Sequence, residues 1–178
     1  MKTRAAVLYQ LNKPLVIEEL EIPHLRPGQV LVKLLYSGIC RSQINEITGL
    51  KGADHHLPHL LGHEGSGVVC AVGPGVAKIK TNDQVVISWI KGTGIDAEAP
   101  IYLRGDKNIF SGKLSTFNEY SVISENRLTK IPADIPADCA ALLGCAIATG
   151  AGMVKNTLQA KEHSSLAIFG AGGVGSSA

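Results

Sequence analysis

The sequence has 178 residues, of which 45% are hydrophobic, and its 17 basic and 15 acidic residues give a formal net charge of +2. This length is sufficient to bury one complete core and to begin a second domain. The basic residues form no block that would bind successive phosphates, and no apolar stretch approaches the roughly 20 residues needed to span a bilayer. Nucleic acid and membranes are therefore not expected partners, and a soluble cytoplasmic protein with reduced cysteines is expected.

Short strands separated by turn residues are predicted from the first residue to about residue 130. The apolar runs that indicate them occupy residues 5–9, 30–35, 65–72, 85–90 and 119–124. Strands of this length and spacing predict a barrel-like β domain over residues 1–130. Residues 91–114 are the longest stretch without a regular pattern and are predicted to form a loop.

The pattern changes after Pro132. Residues 135–138, Ile-Pro-Ala-Asp, are typical of a helix start with proline in the first turn, and an alanine-rich run follows to Leu143. A second helix is predicted from about residue 146 to 158, and residues 165–169 form a short apolar strand. Residues 131–178 are therefore interpreted as connecting helices and the start of an α/β domain.

That strand leads directly into a glycine-rich turn, Gly170-Ala-Gly-Gly-Val-Gly175, and a helix is predicted to follow it. In dinucleotide-binding folds the first glycine permits a tight turn, Gly172 lets the backbone approach a pyrophosphate, and Gly175 lets the helix pack on its strand. Gly173 completes the motif. A complete fold of this kind needs about a hundred further residues or more, so the chain is interpreted as a fragment. The position that distinguishes NAD from NADP lies roughly 20 residues beyond the turn, and both cofactors stay open.

Three dispersed side chains are candidate metal ligands. Cys40 follows a predicted strand, His63 lies at the start of another, and Cys145 precedes the second predicted helix. Zinc prefers thiolate sulfur and imidazole nitrogen, and a catalytic zinc keeps one position open. Spacing alone cannot show that they converge, and by itself it favours buried structural cysteines and a hydrogen-bonded histidine. The residues alone leave both interpretations open.

A wider set of motifs resembles a known family, the zinc-dependent medium-chain alcohol dehydrogenases. The motifs that carry the resemblance are Pro27-Gly28, Gly38-Ile-Cys40, Gly62-His-Glu-Gly-Ser-Gly-Val68 with Gly73 and Val76, Asn82-Asp-Gln-Val85, Gly144-Cys145, Thr149-Gly150 and the glycine turn. The resemblance covers nearly the whole chain. It implies a mainly β fold with some helix, namely a GroES-like, partly open β-barrel with a catalytic zinc, followed by the truncated start of a Rossmann domain.

The resemblance also implies roles for individual residues, taken position by position. Cys40, His63 and Cys145 correspond to the metal ligands, and Glu64 corresponds to an adjacent or occasional ligand. Ser42 corresponds to the hydroxyl that accepts the substrate proton. The cofactor, NAD or NADP, would be contacted by Arg41, Thr149, Gly170, Gly172, Gly173 and Gly175.

Three departures from the family pattern bear on the chemistry. Gln43 stands where an aspartate commonly orients the zinc histidine, and its neutral amide cannot reinforce the basicity of the imidazole. Asn45 replaces the histidine that often ends the proton relay, and an amide cannot exchange a proton near neutral pH. The stretch from about Trp89 to Leu114 has no cysteine. We therefore predict one catalytic zinc and no structural zinc.

The function implied by the resemblance is reversible, zinc-assisted hydride transfer between an alcohol or polyol and NAD or NADP in a full-length homo-oligomer. The expected partner is a small alcohol, aldehyde or ketone. Two alternatives remain, a zinc-free reductase of the same superfamily and a noncatalytic GroES-like binding module. His55, His56 and His59 are predicted to be solvated, whereas Cys70 and Cys139 are predicted to be small buried residues.

Overall fold

The computed structural model describes residues 1–178 and contains ten strands and four short helices. The strands are β1 (Lys2–Leu8), β2 (Val16–Glu21), β3 (Gln29–Ser37), β4 (His59–Leu60), β5 (Glu64–Val72), β6 (Gln84–Ser88), β7 (Ile101–Arg104), β8 (Lys107–Phe110), β9 (Tyr120–Ser124) and β10 (Leu128–Lys130). The helices are α1 (Arg41–Ile47), α2 (Ala137–Leu142), α3 (Ala146–Gly152) and α4 (Gly173–Ser177). None of the helices is long and apolar enough to cross a lipid bilayer.

Two groups of strands form the body of the molecule. Strands β1, β2, β7, β8 and β4 close into a small barrel, and strands β10, β6, β5, β3 and β9 form an open antiparallel sheet in that order. Each group has its own apolar core, with Leu20, Tyr102 and Ile109 fully buried in the barrel and Val32 and Val69 fully buried under the sheet. The predicted mainly β fold is confirmed.

The predicted loop at residues 91–114 is partly wrong. Its second half forms the hairpin of β7 and β8, in which Ile101 lies opposite Phe110 and Arg104 lies opposite Lys107. The two residues between these strands are Gly105 and Asp106, and such a pair between two short alternating runs is a hairpin signal. The hairpin closes the barrel because β7 pairs with β2 and β8 pairs with β4.

Residues 131–178 follow the prediction only in their helices. Helix α2 occupies the predicted segment, and α3 begins at the predicted residue but ends at Gly152 and continues as a wider turn of π-helical type over Met153–Thr157. Residues 165–169 do not form the predicted strand. A strand requires a neighbouring strand for its backbone hydrogen bonds, and none of β1 to β10 pairs with this segment. Helix α4 follows the glycine turn as predicted.

Candidate metal centre

Cys40 and Glu64 are brought together by a turn at the end of β3. Cys40 has an extended backbone and directly precedes α1, so the chain reverses between β3 and this helix. The turn passes very close to β5, since a Cβ atom on Gly38 would lie 2.6 Å from Glu64 Cδ. A side chain at position 38 would displace the Glu64 side chain, and the small size of glycine lets Cys40 approach the first residues of β5.

Cys145 reaches the same place from the far end of the chain. It lies between α2 and α3, and the preceding Gly144 packs so tightly that a Cβ atom there would lie 2.1 Å from the Ile87 carbonyl oxygen and 3.0 Å from Glu64 Cβ. The Ser88 hydroxyl donates to the Gly144 carbonyl at 2.7 Å. The sheet formed by β5 and β6 therefore fixes the turn that carries Cys145.

The structure brings four predicted residues into one cluster. Cys40, His63, Glu64 and Cys145 each offer a ligand atom, and these atoms all lie within 4.8 Å of one another. In a tetrahedral zinc site, with bonds of about 2.0–2.3 Å, ligand atoms are roughly 3.3–3.8 Å apart. Two sulfurs, one imidazole nitrogen and one carboxylate oxygen are the donor types that zinc binds, and a bound ion would draw atoms within 4.8 Å of one another closer together.

The electrostatics of the cluster agree with the donor set. Burial, followed by the proximity of Cys40 and Glu64, raises the pKa of the Cys145 thiol to about 11. Burial also raises the pKa of Glu64, although the Ala146 backbone N–H donates to Glu64 Oε2 at 3.2 Å and opposes this effect. Burial and then the charge of Lys51 lower the pKa of His63, which favours the neutral imidazole that binds metals. The cluster lacks positive charge, and a divalent cation would supply it.

Ser42 and Gln43 lie beside this cluster on the first turn of α1. The Ser42 hydroxyl lies 3.4 Å from His63 Nδ1, a long contact. Gln43 is 5% exposed, and its Oε1 atom has no hydrogen-bond partner. The structure therefore places the predicted proton acceptor next to a candidate ligand and leaves a buried acceptor atom close by.

The predicted cofactor residues divide into two groups. Arg41 is exposed at the start of α1, next to Cys40, and Thr149 lies one helical turn after Cys145, with its N–H donating to the Cys145 carbonyl at 2.9 Å. The glycine turn lies against α3, because a Cβ atom on Gly173 would lie 3.3 Å from Ala146 Cβ. In the turn, Gly170 has a φ of +99° and only Gly175 is partly buried, whereas Gly172 is exposed. The structure thus brings the turn next to the helix that begins directly after Cys145.

A second cluster was missed by the sequence analysis. His59 is buried, and its Nε2 atom lies 2.7 Å from Asp54 Oδ2 and 3.9 Å from Glu46 Oε1. Its Nδ1 atom lies 2.9 Å from the Leu60 carbonyl oxygen. The prediction of a solvated His59 is therefore wrong, although His55 and His56 are exposed. In the sequence, the two leucines that directly follow His59 were a signal that this residue lies in a short buried strand.

The two remaining cysteines lie outside the candidate metal centre. Cys70 is partly buried and packs against the barrel core, as predicted. Cys139 is exposed, so its prediction as a buried residue is wrong. Its position in α2 faces away from the sheet, whereas Ala140 and Ala141 are buried.

A cavity of about 680 Å³ opens beside His63. Its wall includes residues that the sequence analysis did not single out, among them Trp89, Lys113 and Arg127. These residues come from segments that are distant in the sequence, so no local pattern could have identified them. The size is typical of a small-molecule site.

Comparison with known proteins identifies the family. Residues 26–133 match the model of the alcohol dehydrogenase GroES-like domain. The chain belongs to the medium-chain alcohol dehydrogenase family. The resemblance predicted from the motifs is therefore confirmed.

Two curated relatives and two solved structures illustrate the similarity. The chain is 34% identical to the S-(hydroxymethyl)glutathione dehydrogenase of Photobacterium damsela subsp. piscicida, over 98% of the chain and 54% of that protein. It is 33% identical to the alcohol dehydrogenase class-3 of Dictyostelium discoideum, over 97% of the chain and 52% of that protein. An alcohol dehydrogenase zinc-binding domain protein from Burkholderia ambifaria superposes with a TM-score of 0.89 at 30% identity, and the benzyl alcohol dehydrogenase of Acinetobacter calcoaceticus with 0.84 at 28%. Both superpositions cover 99% of the chain and 54% of the other chain. The chain thus spans about half the length of the relatives it matches.

Proposed function

We propose that this chain supplies the catalytic zinc site of an NAD- or NADP-dependent alcohol dehydrogenase that interconverts an alcohol and an aldehyde or ketone. The observation that carries this proposal is the convergence of four metal-ligand atoms within 4.8 Å. These atoms come from three separate parts of the sequence. Structural zinc sites close all four positions with protein ligands, whereas a catalytic site uses three and leaves one for substrate.

Cys40, His63 and Cys145 are the proposed permanent ligands. Glu64 also lies within ligand distance, but the N–H of Ala146 already donates to its carboxylate. We assign it an adjacent position, from which it balances charge and leaves the fourth ligand position to the substrate oxygen. When bound, the zinc ion acts as a Lewis acid that lowers the pKa of the substrate hydroxyl.

Ser42 is the proposed acceptor of the substrate proton at its Oγ atom. Its contact with His63 Nδ1 holds the hydroxyl at the edge of the cluster. Asn45, one turn further along α1, cannot carry a proton onward near neutral pH. The proton therefore passes from Ser42 to solvent in this protein.

The cofactor side of the reaction is assigned to residues 131–178, which we propose to be the start of the dinucleotide-binding domain. The glycine turn between Gly170 and Gly175 would let the backbone approach the pyrophosphate. Thr149 lies on α3 between this turn and Cys145, where it could contact the nicotinamide. Hydride transfer then needs the alcohol carbon and the nicotinamide ring held in line and shielded from water.

Metal analysis of two cysteine variants tests the zinc assignment. We expect about one zinc per chain for the wild type and for Cys70→Ala, since Cys70 lies outside the cluster. Cys40→Ala should lose the bound zinc and, in a longer protein with a complete dinucleotide-binding domain, its turnover. Retention of one tightly bound zinc by Cys40→Ala would refute the ligand set. A wild type without zinc would instead favour a zinc-free reductase or a binding module.

A further inference from the structure

A second group of titratable side chains lines the cavity beside His63. It consists of His59, Asp54 and Glu46, and we call it the His59 cluster. The Nε2 atom of His59 lies 2.7 Å from Asp54 Oδ2 and 3.9 Å from Glu46 Oε1. The proposed reaction uses none of these side chains, although each lies in the wall of the space in which a proton leaves the substrate.

The imidazole of His59 is oriented so that one of its two nitrogens faces the carboxylates. Nδ1 lies 2.9 Å from the Leu60 carbonyl oxygen, which can only accept, so Nδ1 is assigned as the donor of that hydrogen bond. Nε2 is therefore the nitrogen that can gain or lose a proton without rotation of the ring. Imidazole is the side chain best suited to exchange protons near neutral pH.

The His59 cluster separates this cavity from a second, smaller pocket, which we call the outer pocket. The outer pocket has a volume of about 240 Å³, and Glu46, Lys51, Asp54 and His56 line both spaces. The side chains of Glu46 and Asp54 are 27% and 12% exposed, whereas that of His59 is 9% exposed. The two carboxylates therefore reach water on either side of the imidazole.

Helix α1 connects the cluster to the reacting hydroxyl. Ser42 and Glu46 lie four residues apart on this helix, so their side chains share a face and are roughly 5–6 Å apart at Cβ. One bridging water spans such a gap between a hydroxyl and a carboxylate. Burial and then the charge of Lys51 lower the pKa of His63, and the charge of Glu46 opposes them. Glu46 is thus close enough to act electrostatically on the metal centre.

We propose that the His59 cluster is the proton exit of the active site. This inference rests on the proposed function, in which Ser42 accepts the substrate proton. As Ser42 Oγ takes that proton, its own hydroxyl proton passes through water to Glu46 Oε1. The proton then moves from Glu46 to His59 Nε2, and Asp54 takes it from Nε2 and releases it to water in the outer pocket. One proton leaves for each alcohol oxidised, no electrons move along this path, and carbonyl reduction uses it in reverse.

The other neighbours of His59 leave the two carboxylates as its proton partners. Strands β1 and β4 place Leu8 opposite His59, and β8 places Phe110 opposite it. The ammonium group of Lys51 lies 2.8 Å from Glu46 Oε2, which is not the oxygen closest to His59. Glu46 Oε1 therefore remains available to accept a proton and to pass it on.

Asp54 is suited to the last transfer. The backbone N–H of His56 donates to Asp54 Oδ1 at 2.9 Å, and Oδ2 faces His59. Burial alone would raise the pKa of Asp54, but the hydrogen bonds from His56 and His59 more than offset it, and the pKa is lowered. A carboxyl group with a lowered pKa gives up its proton readily to water.

Proton exchange in chain 1–178 tests the route without any turnover. When the ring of His59 carries both protons, ¹H–¹⁵N spectra should show exchange with water about 10-fold or more faster at Nε2 than at Nδ1, whose proton is bonded to a buried carbonyl. Asp54→Asn should slow the exchange at Nε2 and leave that at Nδ1 unchanged. Equal exchange at both nitrogens of the wild type would overturn the route, even if the longer protein oxidises alcohols.

Turnover of a longer protein with a complete dinucleotide-binding domain tests the link from Ser42 to Glu46. The probe is butan-1-ol, benzyl alcohol or sorbitol, whichever the wild type oxidises fastest. Glu46→Gln should lower kcat by about 10-fold or more, since a positioned proton carrier contributes about 100-fold or more and water remains as a slower route. The solvent isotope effect in heavy water should rise, because proton transfer becomes the slow step. Glu46→Asp, which keeps the carboxylate, should retain most of the wild-type kcat.

A matched glutamate provides the control. Glu19 lies 2.7 Å from Lys2, much as Glu46 lies beside Lys51, and it is outside the cavity. Glu19→Gln should therefore leave kcat and the solvent isotope effect unchanged. A lower kcat in Glu46→Gln without a larger isotope effect would indicate a structural role and contradict the proposal.

The two proposals fail in different ways. A zinc-bound wild type that oxidises none of the three alcohols would refute the proposed function, and this route with it. A wild type that oxidises one of them, with a Glu46→Gln variant that matches it, would refute the exit route alone. If Glu46→Gln does not fold, the exchange measurement on the wild type decides the case.

Discussion

The strand-rich body and the last 28 residues differ in how completely each buries its own apolar side chains. The body buries its large apolar side chains completely, as for Leu20 and Tyr102, and all four candidate metal ligands lie in it or at its edge. No residue after Gly150 is buried, and Leu166, Ile168 and Phe169 are 46%, 51% and 99% exposed. The metal centre is therefore supported by a packed core, whereas the residues around the glycine turn remain largely exposed.

The two regions meet at the pair of helices α3 and α4. Gly150 of α3 packs so closely against α4 that a Cβ atom there would lie 2.3 Å from the Val174 carbonyl oxygen. Helix α3 begins directly after Cys145, the ligand that lies furthest along the sequence. Substitutions in the two regions should therefore have separable effects, on stability in the body and on cofactor binding in the tail.

The largest difference is expected for a matched pair of isoleucines. Ile109→Ala in the barrel removes a fully buried side chain and should lower the free energy of unfolding by about 2–5 kcal/mol. Ile168→Ala in the tail should change it by less than about 0.5 kcal/mol. Urea denaturation of chain 1–178, followed by circular dichroism, measures both. A comparable loss for the two variants would show that the tail shares the core of the body.

The next effect is stabilisation by zinc, which tests whether the metal centre is preformed in the body. Zinc at about 100 times its dissociation constant should raise the free energy of unfolding by about 2.7 kcal/mol if only the folded chain binds it. Cys145→Ser should abolish this gain, whereas Cys139→Ser, at an exposed site six residues earlier, should retain it. Equal stabilisation of both variants would place the zinc elsewhere.

A buried carboxylate should give a smaller, pH-dependent effect. Glu125 is 2% exposed, and its side chain accepts hydrogen bonds from the backbone N–H groups of Ala77, Lys78 and Ile95. Burial alone would raise the pKa of Glu125, but the N–H groups of Ile95, Lys78 and Ala77 more than offset this, and its pKa is lowered. Replacement by glutamine should lower the free energy of unfolding by about 2 kcal/mol at pH 7.

The sign of the pH dependence follows from the lowered pKa. The contribution of ionised Glu125 is fully present above the ordinary glutamate pKa of about 4.3 and is lost as the pH falls through the lower pKa of the folded protein. The stability difference between wild type and Glu125→Gln should therefore be constant from pH 7 to about pH 5 and should shrink in more acidic solution. Acid titrations of both proteins test this, and a difference that grows on acidification would contradict it.

The elements that depend on local patterns could be predicted from the sequence alone. Short apolar runs bounded by turn residues identified β3 and β5, and the proline before Ala137 identified the start of α2. The Gly105-Asp106 turn carried the same kind of signal, but it was overlooked within a long stretch that lacks other regular features. These elements are fixed by neighbouring residues, so reading the sequence can recover them.

Contacts between distant residues could not be predicted in this way. The bond from the Ala146 N–H to Glu64 joins residues 82 positions apart, and family motifs, not spacing, suggested that Cys40, His63 and Cys145 converge. The burial of His59 also depends on tertiary structure, since its strand pairs with β1 and its ring contacts Asp54. Local pattern gives the elements, whereas the site is formed by the way in which they pack.

The smallest effect on stability is expected in the glycine turn. A Cβ atom on Gly175 would lie 1.9 Å from the Gly170 carbonyl oxygen, so Gly175→Ala must open the turn. Because the turn is largely exposed, the free energy of unfolding of chain 1–178 should change by less than about 0.5 kcal/mol. In a longer protein with a complete dinucleotide-binding domain, the same change should weaken NAD or NADP binding by about 10-fold or more, since the backbone no longer approaches the pyrophosphate closely.

A nearby glycine provides the control for this variant. Gly152 has ordinary helical geometry, and a Cβ atom there would have no neighbour nearer than 3.8 Å, so Gly152→Ala should not destabilise the chain and should leave cofactor binding unchanged. Urea denaturation measures the first quantity and fluorescence titration with the reduced cofactor measures the second. If Gly175→Ala destabilised the chain as strongly as Ile109→Ala, the turn would belong to the body, and the separation between the two regions would be wrong.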